Sequence, residues 1–264
     1  MERSVGGPAI VLGLVLAEVA VGGALVLFAV PLWGHVRAAF WRLMGIILAT
    51  AAVLAYLTMR GPLLDAAGAP GTTRAGLILF AAFTGGTIAW MFASFVRGGT
   101  GARTAALVTL PVGVIALVLI ALDPATGRAP AIAVFQMLAG AVFAGAVTDG
   151  LLLGHWYLVD RKLSRQPLRL MNLTFLVACG AAAVGALFAL GGGGGQATTD
   201  FSPLLGAGAL AAWLALGLIV LCATIGLFIR ALIKENSIQA ATGLFYLGVI
   251  MGLSAEFAAK VRFF

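Results

Sequence analysis

Eight stretches of this chain, at roughly 8–33, 39–59, 75–96, 104–122, 130–153, 170–190, 204–229 and 238–259, are apolar almost without interruption. A helix crosses the hydrocarbon core of a bilayer in about 20 such residues. Between the runs lie only short clusters of charge, Gly and Pro, so little chain remains for a water-soluble domain. The charged residues amount to 9% and the hydrophobic ones to 62%. A soluble domain carries about 25% charge, and this chain could not cover a surface with polar groups. Within lipid every backbone N–H and C=O must be paired inside the protein, which leaves helices and closed barrels. A barrel needs short alternating segments, and these runs are long and continuous. The expected fold is all-α: a polytopic membrane protein of eight transmembrane helices with both termini on the outer face.

The first run follows Arg3, but it is too long for the apolar core of a signal peptide. Glu18 interrupts it and no Ala-x-Ala cleavage site follows. It is expected to be a retained helix. Cys179 and Cys222 sit in different apolar runs and read as packing residues. The net charge of +7 is not a nucleic-acid signal here. With the N-terminus outside, the inner connections hold Arg37, Arg42, Arg97, Arg103, Arg161, Lys162, Arg165, Arg169, Arg230 and Lys234. The outer connections and termini hold Arg3, Arg60, Arg74, Arg128, Lys260 and Arg262. The inner excess supports this orientation, and the Asp160–Arg169 connection supports it most.

A faint echo recurs at half-length. Gly34-His35 matches Gly154-His155, and Arg42-Leu43-Met44 matches Arg169-Leu170-Met171. Phe95-Val96-Arg97 matches Phe228-Ile229-Arg230, and Gly113-Val114-Ile115 matches Gly248-Val249-Ile250. The four matches fall in the same order and in corresponding runs. The expectation is a duplication, with one four-helix bundle over residues 1–128 and another over 129–264, in a single membrane domain. An even number of helices per half keeps both halves in one orientation, related by an axis along the membrane normal. Small residues are expected at helix contacts: Gly150 and Gly154 on the fifth helix, Gly180 and Gly185 on the sixth. The five glycines from Gly191 to Gly195 read as a flexible linker.

Ionisable groups within a membrane are costly, so each is a functional candidate. Glu18 falls near the middle of the first run, Asp149 in the inner third of the fifth and Glu256 in the outer third of the eighth. At about 1.5 Å per residue the three form a ladder through the depth of the membrane. It either carries protons or specifies helix packing. The two histidines, His35 and His155, both fall at the inner face. Together they are candidates to ligate one haem b or to exchange protons with a quinone, against the alternative of interfacial polar residues. The densest chemistry is Gly154-His155-Trp156-Tyr157-Leu158-Val159-Asp160-Arg161. Asp149, Leu152, Leu153 and Trp156 share a helical face there. His155, His35, Trp156, Tyr157 and Arg161 are therefore the candidates for a quinone site, with an aromatic-belt role for Trp156 and Tyr157 as the alternative. No soluble-type catalytic motif is present.

The run Gly252-Leu253-Ser254-Ala255-Glu256-Phe257-Ala258-Ala259-Lys260-Val261-Arg262-Phe263-Phe264 closes the chain. It is similar to the Gly-Glu-x-x-x-Arg-x-Phe endings of the membrane subunits of quinone-linked respiratory oxidoreductases, the polysulfide-reductase and DMSO-reductase anchor type, but lacks their Gly directly before Glu256. Eight helices in two halves with both ends outside also resemble that family. The resemblance implies a subunit without a redox metal of its own. Such a subunit docks an iron–sulfur or cytochrome partner and binds menaquinone or ubiquinone near the outer face. That placement favours Glu256 and Glu18, whereas the residues themselves favour the inner face, and both readings stand. A proton-coupled transporter for a small solute is the alternative, with Gly22-Gly23 and Pro111-Val112-Gly113 as its candidate helix breaks. A structural subunit without a ligand is the third. The high Ala, Gly, Val and Arg content suggests a GC-rich bacterium, and the respiratory resemblance implies its cytoplasmic (inner) membrane.

Overall fold

The computed structural model describes residues 8–30, 32, 36–65, 70–96, 98–123, 128–160, 162–191 and 207–261. His35, Arg161 and most of the glycine linker lie outside these. The described chain forms eight helices and no strand. They are α1 (Pro8–Ala29), α2 (Ala38–Asp65), α3 (Gly71–Val96), α4 (Gly98–Ala121), α5 (Pro130–Val159), α6 (Gln166–Gly191), α7 (Ala207–Lys234) and α8 (Ile238–Val261). All eight are long and apolar enough to span a bilayer. Their lengths run from 22 residues in α1 to 30 in α5. At about 1.5 Å per residue the shortest reaches roughly 33 Å, enough for the hydrocarbon core.

Local sequence explains the ends. Pro130 opens α5, where its missing N–H costs no helical bond. Asn236 closes α7 in the left-handed region, at φ 63°, a conformation Asn tolerates better than most residues. The amide of Ser237 then donates to the Leu232 carbonyl at 2.8 Å, satisfying one of the groups the helix end leaves open. Neither candidate break is a break. α1 runs unbroken through Gly22-Gly23, and α4 runs through Pro111-Val112-Gly113.

Sequential neighbours pack in both halves: α1 on α2, α2 on α3 and α3 on α4, then α5 on α6, α6 on α7 and α7 on α8. The halves meet chiefly through α1 and α5, flanked by α4 against α5 and α1 against α8. Glycine makes this crossing close. A Cβ on Gly22 would overlap the backbone of Ala141, and one on Gly145 would overlap the backbone of Gly22 and Gly23. The Gly22-Gly23 pair is thus the seat of α5. Further along α5, Gly150 receives the ring of Phe245 and Gly154 faces Thr242, both on α8. Gly180 differs from the expectation, because nothing lies within 4 Å of the place its Cβ would take. Gly185 makes only ordinary contact, with Gln136 and Phe135.

The buried core does not divide at the boundary between the halves. One cluster joins the second half to Val26, Leu27, Phe40 and Trp90 of the first. The other joins the first half to Met137, Ala141 and Ala144 of α5. Outward-facing apolar side chains such as Ile78, Val96 and Val177 are 70%, 81% and 66% exposed, as a lipid-facing surface requires. α1 is the most enclosed span, which places its one acid inside protein rather than in lipid.

Candidate functional site

Three ionisable side chains meet where α1, α5 and α8 pack together. The Lys260 ammonium lies 2.6 Å from Glu18 Oε1 and 3.5 Å from Glu256 Oε2. All three residues are buried, at 2%, 0% and 3% exposure. Burying an ion costs several kcal/mol unless an opposite charge and hydrogen bonds compensate, so the grouping is what makes the burial tolerable. Glu256 and Lys260 are one helical turn apart on α8, and Glu18 comes from α1. α5 contributes the space: a Cβ on Gly140 would meet Glu256 Oε2 at 2.6 Å and Glu18 Oε1 at 2.7 Å.

The depth of the cluster follows from the helix ends. Glu18 stands ten residues (18 − 8) into α1 and Gly140 ten residues (140 − 130) into α5. Both lie about 15 Å from the face that also holds the C-terminal end of α8. We call this the terminal face.

Lys260 reads from sequence as a charge at the outer end of the last helix. It turns inward instead. Helical Cα–Cβ bonds tilt toward the helix N-terminus, so a long side chain near the C-terminal end of α8 aims back into the membrane. The Glu256-x-x-x-Lys260 spacing was the available signal, since residues four apart share a helix face.

A narrow slot runs beside the cluster between α5, α6, α7 and α8. Half of its lining residues are alanine, including Ala182, Ala186 and Ala215, and Arg128, Gln136, Glu256 and Lys260 supply its polar groups. It measures about 30 Å³, room for about two waters. Gln136 Nε2 donates to the Gly185 carbonyl at 2.7 Å, and the Arg128 guanidinium donates to Gln136 Oε1.

The expected ladder of three acids becomes one cluster and one separate acid. Glu18 and Glu256 share a level. Asp149 lies nine residues (149 − 140) beyond Gly140 on α5, about 13.5 Å away along the axis. Asp149 is fully buried, and neither carboxyl oxygen has a hydrogen-bond partner among the described residues. It packs where Gly23 and Leu48 approach: a Cβ on Gly23 would come within 3.2 Å of Asp149 Oδ1.

The His155-Trp156-Tyr157 stretch does not form one pocket. His155 is exposed, with Nδ1 3.4 Å from the Tyr246 hydroxyl. An axial haem ligand between helices needs an imidazole aimed into the bundle, and His155 does not fit that role as placed. Trp156 is half-buried, its ring 5.9 Å from that of Phe40. Tyr157 is buried and donates its hydroxyl to the Ser164 carbonyl, tying down the connection to α6. Beside it Arg37 Nε reaches Asp160 Oδ2 at 2.9 Å. Three successive residues thus face three environments, and each has a local structural task.

Fold and site together define a class: a polytopic helical membrane protein with a buried acid–base cluster at the meeting of its two halves. No family model matches the chain, and no curated protein matches it either.

Proposed function

We propose that the chain is an integral membrane subunit of a respiratory electron-transfer complex, exchanging protons with a quinone at the Glu18–Lys260–Glu256 cluster. The observation that carries this reading is the convergence of both carboxyls and one ammonium beside a water-sized slot. Two acids sharing one base exchange protons through small movements, and the slot, which Glu256 and Lys260 line, has room for water beside them. On this reading the headgroup docks at the mouth of the slot, where Arg128 supplies N–H donors for a carbonyl oxygen. This site agrees with the terminal-face placement that the family resemblance implies, and not with the histidine face. The same reading places the protein in a bacterial cytoplasmic membrane with the terminal face outward, docked to an iron–sulfur or cytochrome partner.

A proton-coupled transporter is the second reading. It is favoured by the position of the cluster between the two halves, where repeat-built transporters bind their substrates. It is weakened by the continuity of α1 and α4, because such transporters bind at discontinuous helices.

The deciding experiment is Glu18→Gln in the complex isolated with its co-purifying subunits, assayed for quinol-linked turnover. Loss of turnover with intact assembly is the expected result. Wild-type turnover in that variant removes the reading. Proton-coupled solute uptake by the chain alone in vesicles selects the transporter instead.

A further inference from the structure

On the face opposite the cluster, α6 begins and α7 ends side by side, and a cavity of about 330 Å³ opens between them. Three cations line it: Arg169 from the first turn of α6, and Arg230 and Lys234 from the end of α7. All three are exposed, and among the described residues none of its walls is acidic. Glu235 follows Lys234 directly but is not part of the cavity. The floor is apolar, with Leu173 and Leu176 of α6 leading toward the lipid-facing surface. Leu173 is 51% exposed, and Val177 and Leu227 continue that surface at 66% and 59%. Asn172 holds the two walls at fixed spacing: buried at 2%, it donates Nδ2 to the Gly226 carbonyl of α7 at 3.1 Å.

We infer that this cavity binds the phosphate headgroup of an anionic glycerophospholipid, with an acyl chain along Leu173 and Leu176. Basic cations at helix ends also serve orientation, but orientation requires only that they be on one side. Here three of them converge on a single cavity between two helices, with an apolar groove leaving it. That is the combination of an anion and a chain, and basic pockets between transmembrane helices suit such headgroups. A soluble phosphate would use the cations and leave the groove idle.

The test uses the full chain in phosphatidylcholine nanodiscs doped with phosphatidylglycerol, with retained lipid read by native mass spectrometry. Wild type is expected to retain phosphatidylglycerol over phosphatidylcholine. One Lys or Arg near an anionic surface strengthens attachment by about fivefold, so Arg169→Gln/Arg230→Gln/Lys234→Gln together should weaken retention by about a hundredfold. Arg37→Gln/Lys162→Gln/Arg165→Gln, which removes three cations elsewhere on the same face, should leave it unchanged. Should the first variant not fold, Leu173→Trp/Leu176→Trp fills the groove with the charges in place and is expected to abolish retention. Equal retention by a cavity variant, equal loss in the Arg37/Lys162/Arg165 variant, or displacement of the lipid by inorganic phosphate each overturns the proposal.

Discussion

Lys260 of the last helix and Glu18 of the first are joined at 2.6 Å with neither reaching solvent. The two residues are far apart in the chain, and their pairing closes the bundle on the α1–α8 side. Removing one partner of a buried ion pair leaves the other uncompensated, at a cost of about 3–5 kcal/mol. The two ends of this contact are not equivalent, however. Lys260 serves two carboxyls, while Glu18→Gln leaves Lys260 paired with Glu256. Lys260→Met is therefore expected to lower the unfolding temperature in detergent markedly, and Glu18→Gln much less. The double variant Glu18→Gln/Lys260→Met should recover part of the loss. Strictly additive effects would show that the pair is not coupled.

Gly140 offers a way to disturb the cluster without deleting a charge. Its added methyl would press on the ends of two flexible carboxylate side chains and not on backbone. Gly140→Ala should therefore fold and assemble, while forcing Glu18 and Glu256 off their positions around Lys260. On the proposed function, quinol-linked turnover falls by about tenfold or more, in line with the loss expected for a displaced proton-transfer group. Unchanged turnover with unchanged stability would mean that the geometry of the cluster is irrelevant to activity.

The eight spans were legible because run length and hydropathy decide insertion into lipid almost alone. Their ends were less so. The run at 39–59 becomes α2 out to Asp65, taking in Arg60 and Pro62, and the run at 130–153 becomes α5 out to Val159. Long basic side chains snorkel to the interface, so a charge near a helix end does not stop the helix. The carboxyls of the site were legible as isolated acids in apolar sequence. Their convergence was not, because it depends on α1 packing against α5 and α8, which no local pattern encodes. Lys260 was hidden for another reason: a cation near the last helix end reads as topology unless the direction of its Cα–Cβ bond is considered. In the histidine neighbourhood the described residues diverge, since chemical density along the chain is not density in space when each successive helical residue turns by about 100°.

Asp149 tests whether the buried acids act as one path or as separate groups. It has no charge partner among the described residues and stands a long way along α5 from the cluster. Asp149→Asn keeps the shape and breaks no described ion pair, so stability should stay within about 1 kcal/mol of wild type. Quinol-linked turnover should persist, because the proposed exchange runs through Glu18, Glu256 and Lys260. A loss of turnover as deep as that of Glu18→Gln would restore the idea of a relay through the whole depth of the membrane.

The crossing of α1 and α5 makes the sharpest structural prediction. Gly22 meets the backbone of Ala141, and backbone cannot step aside as a side chain can. A single methyl at Gly22 must push the helices apart by the width of a carbon atom. Helix association in lipid rests largely on close packing, with no hydrophobic force to replace it. The displacement would also carry Glu18, one turn away on α1, off Lys260. Gly22→Ala is thus expected to give a poorly assembled protein, seen as aggregation in detergent size-exclusion chromatography. Gly180→Ala faces open space and should run as wild type, with a gain of a few tenths of a kcal/mol from better helix propensity. A Gly22→Ala protein that is as monodisperse and thermally stable as the Gly180→Ala protein would contradict the α1–α5 crossing on which the cluster depends.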